Sequence, residues 1–193
     1  MRTATVTIIV GRRKSGKTDY SKNLLQSLSA SKILIVDTFD NPPWRNWKTH
    51  DHPERNNVSI PIMDIEQLPY WKNGSYRIFS SDPSPIFSAI DENLMNCAIL
   101  FEDATKYIGS KLEKAVRNSV IDSKQKNIDL FFVFHSLSAV PPELVRISDF
   151  ITIFKTNEAY PSTKKYPFPD IIPAMDFVKK SKNLFEKVTL PLN

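Results

Sequence analysis

The fold class turns on residues 3–18, Thr3-Ala4-Thr5-Val6-Thr7-Ile8-Ile9-Val10-Gly11-Arg12-Arg13-Lys14-Ser15-Gly16-Lys17-Thr18. The first eight are mostly β-branched and stop at a glycine, which reads as a buried strand. The last eight fit G-x-x-x-x-G-K-[ST] at every fixed position. A loop that wraps phosphate oxygens must turn its backbone N–H groups inward, and its two bends leave no room for side chains, hence Gly11 and Gly16. Arg12, Arg13, Lys14 and Ser15 supply the backbone between them. A helix opening at Gly16 adds the positive end of its dipole. Lys17 sets a point charge on the β- and γ-phosphates, and the Thr18 hydroxyl is a hard oxygen ligand for magnesium. The competing reading, a basic surface turn, leaves unexplained why two of only four glycines stand in this one stretch.

Outward from the loop, residues 16–30 predict a helix, with Tyr20, Leu24, Leu25 and Leu28 as its apolar stripe. Residues 33–37 predict a second buried strand. Strand, loop, helix, strand is a βαβ unit, so the fold class is α/β with a mainly parallel sheet flanked by helices. Residues 39–57, with Pro42, Pro43, Trp44, Trp47 and Pro53, show no period and read as an ordered excursion, because tryptophans are seldom left free. Strands are expected at 76–79, 97–101, 129–134 and 150–154. Helices are expected at 83–95, 110–126 and 171–180, with a helical turn opening at Pro141-Pro142. One domain suffices for 193 residues. Its core spans residues 1–155, and residues 156–193 form a basic, Pro- and Lys-rich extension packed on the core or trailing it.

A phosphate loop needs acidic partners. Glu102 and Asp103 follow five uncharged residues, Cys97-Ala98-Ile99-Leu100-Phe101, and so stand at a strand's C-terminal edge, facing the same crevice as the loop. One acid would hold the metal, Glu102 with Thr18 in the reading adopted, and the other would polarise water for attack on the γ-phosphate. The bland alternative is an acidic pair that caps the next helix. His135 also ends an apolar strand. In many P-loop ATPases an extra strand lies between the loop strand and the metal-carboxylate strand, with a polar tip that touches the γ-phosphate. His135 and Ser136 occupy that place; the alternative is a neutral histidine satisfied by backbone groups. His50 and His52, near Glu54, lack the further ligands of a metal site and read as surface loop.

The formal charge of +5 is uneven. Residues 1–37 carry seven basic groups against two acidic, and residues 155–193 carry seven against four. Basic ends favour anionic partners such as triphosphate and nucleic acid, with a solvated lysine surface as the ordinary alternative. No apolar run approaches the roughly 20 residues of a membrane span, so no membrane insertion is expected. The one cysteine, Cys97, permits neither an internal disulfide nor a cysteine-based zinc site, which fits a reducing, cytoplasmic setting.

Taken together, GRRKSGKT, CAILFED and DLFFVFHSLSAVPPELVRISDFITIFKT resemble the compact ATPases of the FtsK–HerA group. That group includes viral genome-packaging ATPases and zonular-occludens-toxin-like phage proteins. The resemblance covers most of residues 1–155. It implies a RecA-like three-layer core, assembly into a homo-oligomeric ring, and hydrolysis of ATP with Mg2+ to move double-stranded DNA, in a host cytoplasm or with a virion. It places Lys17 and Thr18 on phosphate and magnesium and His135 at the sensor. Two departures stand out: Glu102-Asp103 inverts the group's usual Asp-Glu, and its sensor is more often glutamine. Ring ATPases also use an arginine or lysine from the neighbouring subunit, for which Arg117, Lys124 and Arg146 are candidates. Arg117 and Lys124, seven apart, are expected to share a helix face. Two other readings stay open. One is a small nucleoside or nucleotide kinase, with Arg45 and Arg55 in a lid. The other is a nucleotide-binding assembly or regulatory module with little turnover.

Overall fold

The computed structural model describes residues 4–40, 42–49, 51, 59–80, 84–161 and 166–192. Among the described residues, seven strands form one sheet in the order β3-β2-β4-β5-β1-β6-β7. They are β1 (Val6–Val10), β2 (Lys32–Asp37), β3 (Gly74–Phe79), β4 (Cys97–Phe101), β5 (Ile128–Phe134), β6 (Phe150–Phe154) and β7 (Lys187–Pro191). Every neighbouring pair is parallel except β6 and β7.

The strands read as continuous apolar runs because the sheet is covered on both faces. Alternate residues divide between two cores, as the period-2 pleat requires. Val6, Ile8 and Val10, with Leu130, Phe132 and Phe134, face one layer; Ile9, Phe131 and Val133 face the other. The first layer is built by α3 (Ser84–Asn93), α4 (Lys114–Asp122), α5 (Pro142–Ile147) and α6 (Ile171–Lys180). The second holds Leu25 of α1 (Lys17–Ser27) together with Trp44 of α2 (Pro42–Arg45) and Trp47. These two indoles meet edge to face at 5.5 Å, so this part of the excursion is ordered by its tryptophans.

The structure trims or extends some expected elements. The helix expected at 110–126 runs only from Lys114 to Asp122. Glu113 before it is extended, and after it the chain tightens into a turn in which Asn127 has φ 54°. Lys124 therefore falls past the helix end, off the face expected for it with Arg117, and pairs with Asp149 at 2.6 Å. A two-turn 3-10 segment, Ile65–Tyr70, was not expected. Nor was β7, in which the C-terminal residues join the sheet. His50, His52 and Arg55 lie outside the described residues.

Candidate active site

The loop starts where β1 ends. Gly11 N donates to Phe134 O of β5 (3.2 Å) and Arg12 N to Lys155 O just past β6 (2.8 Å), so both neighbouring strands pin its entry. A Cβ on Gly11 would lie 2.6 Å from Phe154 Cβ, which only glycine avoids. Lys14 (φ 62°) and Gly16 (φ 91°) are both left-handed, and this alternation curls the backbone into an anion-binding concavity at the start of α1.

Three strand ends converge on the loop. β5 lies between β1 and β4, and register pairs Val10 with Phe134 and Phe101 with Phe132. Gly11, Glu102 and His135 therefore follow neighbouring strands at one edge of the sheet. Lys17, Glu102, Asp103 and His135 line one cleft of about 710 Å³ with Arg13, Lys14, Ser15, Gly16 and Thr18. Gly11 and Arg12 take no place in its wall. The Arg12 guanidinium bonds Asn157 (3.0 Å), and Arg12 serves the loop through its carbonyl.

The charges in the cleft are coupled. Lys17 Nζ is buried and donates to Gly11 O (2.5 Å) and Arg12 O (2.9 Å). Burial lowers its pKa to about 8; Glu102 and Asp103 oppose that shift and Arg13 adds to it. Glu102 is 6% exposed, and burial raises its carboxyl to about 7 against the pull of Lys17 and of the Trp44 indole, which donates to Oε2 at 3.2 Å. Asp103 is left-handed (φ 50°), and its Oδ1 accepts from Thr105 Oγ1 and stands 3.5 Å from His135 Nε2. It does open a 3-10 turn, Ala104–Lys106, but its side chain makes no cap bond to that turn. Burial, then Lys17, lower the His135 pKa, Asp103 acting against them. Its Nδ1 is buried without a hydrogen-bond partner.

Magnesium suits this donor set. Among the described residues no group of three or more His, Cys, Asp or Glu could hold a metal alone. The Thr18 hydroxyl and the Glu102 carboxylate are hard oxygen donors of the kind that Mg2+ takes together with substrate phosphates.

Arg117 and Arg146 take no place in the cleft. Arg117 lies on the surface, paired with Glu143 at 2.7 Å, and Arg146 is exposed in the last turn of α5. Arg45 of the proposed lid is paired with Asp40. Several residues of the site carried no local signal. Trp44 bonds Glu102, Tyr107 OH donates to Glu102 O (2.8 Å), and Phe39, Pro43 and Phe185 wall the cleft. The tryptophan content of the excursion predicted its order, and nothing in the sequence joined it to Glu102.

Fold and loop together define a three-layer α/β P-loop NTPase fold. Neither a family model nor a curated protein sequence matches the chain. Solved structures do. The genome packaging NTPase B204 from Sulfolobus turreted icosahedral virus 2, in complex with sulfate, is similar at TM-score 0.72 and 17% identity, over 100% of this chain and 94% of that one. Its complex with ATP-γS gives 0.71 and 14% over the same shares. The N-terminal domain of zonular occludens toxin from Neisseria meningitidis gives 0.51 and 12%, over 81% of this chain and 79% of that one. At such identities the likeness is one of fold, and these are the packaging-ATPase and toxin-like folds that the sequence resembles.

Proposed function

We propose that this chain is a Mg2+-dependent ATPase of the FtsK–HerA kind, which forms a ring of identical subunits and moves or packages double-stranded DNA. One observation carries the reading: the loop lysine, two buried carboxylates and a histidine meet in one cleft, from three adjacent strand ends. Simple phosphate binding needs only the loop. The acids and the imidazole are what hydrolysis adds.

In this reading the Lys17 ammonium leaves the carbonyls of Gly11 and Arg12 for the β- and γ-phosphate oxygens, and the loop N–H groups close on them. Thr18 and Glu102 would hold Mg2+, which supplies charge neutralisation on the phosphates. Glu102 follows Phe101 directly and Lys17 is its strongest charged neighbour, which suits the metal-side role. Asp103, beside His135, orients water and accepts its proton; the His135 imidazole, its pKa lowered by burial and Lys17, marks the γ-phosphate. Arg146 and Arg117, on the surface, are the groups a neighbouring subunit could present to this cleft. Residues 1–155 carry the catalytic parts, with residues 156–193 as a C-terminal extension. A viral or phage setting, in host cytoplasm or virion, follows from the packaging reading.

Native mass measurement with Mg2+, ATP and double-stranded DNA tests it. A closed oligomer is expected. A persistent monomer that phosphorylates an added nucleoside or nucleotide would favour the kinase, and one that binds ATP without turnover would favour the regulatory module.

A further inference from the structure

The cleft has two ends, and hydrolysis occupies one. Glu102, Asp103 and His135 stand at the ends of β4 and β5, to one side of the loop strand β1. Phe185 also lines the cleft, but it precedes β7, on the other side of β1 beyond β6. Phe185 is 60% exposed, although an aromatic residue ordinarily buries most of its area.

The turn that presents Phe185 is fixed by its own hydrogen bonds. Phe185 N donates to Asn183 Oδ1 (3.0 Å), Asn183 N to Ser181 Oγ (3.1 Å), and Ser181 Oγ to Glu186 Oε2 (3.2 Å). Lys155 Nζ, at the loop entry, donates to Ser181 O. The ring rests against the phosphate loop itself, since a Cβ on Gly16 would lie 2.9 Å from Phe185 Cδ1. An open aromatic ring is thus braced on the bend where phosphates would bind.

A triphosphate seated in the loop with its γ end toward Glu102, Asp103 and His135 must send its ribose and base the other way, toward β6 and β7. We propose that Phe185 is the platform on which the nucleobase stacks. The proposal rests on the triphosphate reading of the cleft and adds to it the means by which nucleosides are preferred over bare phosphates. A phenyl ring offers no hydrogen-bonding edge, so the platform favours bases by the area of their π-face: purines over pyrimidines, with little distinction between adenine and guanine.

The test is equilibrium binding of Mg-ATP, Mg-CTP and Mg-tripolyphosphate to the full chain, with Phe185→Ala and Phe185→Trp beside wild type. Phe185→Ala is expected to weaken ATP about tenfold, CTP less, and tripolyphosphate by less than about twofold. Phe185→Trp is expected to restore ATP affinity. If Phe185→Ala leaves ATP untouched, or weakens tripolyphosphate as much as ATP, the platform is wrong while the phosphate site stands. If wild type binds neither ATP nor tripolyphosphate, the triphosphate reading fails and takes the platform with it.

Discussion

Replacing Glu102 by Gln is expected to flatten the pH dependence of folding stability between about pH 4.5 and 7. Glu102 is buried in the cleft wall, and burial raises its carboxyl from 4.5 to about 7, with Asp37 and Asp103 adding to the shift and Lys17 and Trp44 opposing it. Across that window the folded protein keeps a proton that the unfolded chain has released. Stability therefore falls as pH rises, and the full penalty stands above the folded pKa. A rise from 4.5 to about 7 corresponds to about 3 kcal/mol in all, at about 1.4 kcal/mol per pH unit. Between about pH 5 and 7.5 roughly 2 kcal/mol of it should develop. Glutamine keeps the shape and can still accept from the Trp44 indole, but it does not titrate. Lys17, lowered to about 8, stays mostly protonated in wild type across this window. Urea unfolding of both proteins without nucleotide, at these two pH values, measures the difference. Wild type should lose about 2 kcal/mol that the variant keeps. Parallel profiles would refute the buried, proton-holding Glu102 on which the electrostatics of the cleft depend.

Other substitutions separate the roles. Trp44→Phe removes the indole donor to Glu102, a contact that lowers its pKa, so the acid limb of the pH–rate profile should move to higher pH. An unmoved limb would show that the bond does not act on the reacting site. Asp103→Asn should keep ATP affinity in a binding titration while phosphate release falls by a factor on the order of 100; retained turnover would take the base role from Asp103. Arg77→Met leaves Asp37 buried without its guanidinium partner at 3.3 Å and should cost about 3 kcal/mol in denaturant unfolding. A loss below about 1 kcal/mol, as for a surface pair, would contradict the buried anchoring of the β2 end.

The sheet was legible because burial on both faces writes strands as apolar runs, and 97–101, 129–134 and 150–154 emerge as β4, β5 and β6 almost residue for residue. The loop was legible because its geometry restricts residue type at fixed spacing. Elements decided by tertiary contact were not. β7 alternates exposed and half-buried residues and ends at a proline, a faint pattern that becomes a strand only by pairing with β6. The indole of Trp44 reaches Glu102 across 58 positions of sequence, and Phe185 is one of 12 phenylalanines until the turn before β7 sets it on Gly16. The ends of α4 differed from expectation because periodicity continues through residues whose backbone has already turned.

A cleft that hydrolyses ATP to do work on DNA must release phosphate in response to DNA. The measurement is steady-state phosphate release from Mg-ATP, with and without double-stranded DNA, with Lys17→Ala run beside wild type. Wild-type turnover should rise when DNA is added and disappear in the variant, whose loop has lost its phosphate charge. Wild-type release no greater than that of Lys17→Ala, with or without DNA, would contradict it.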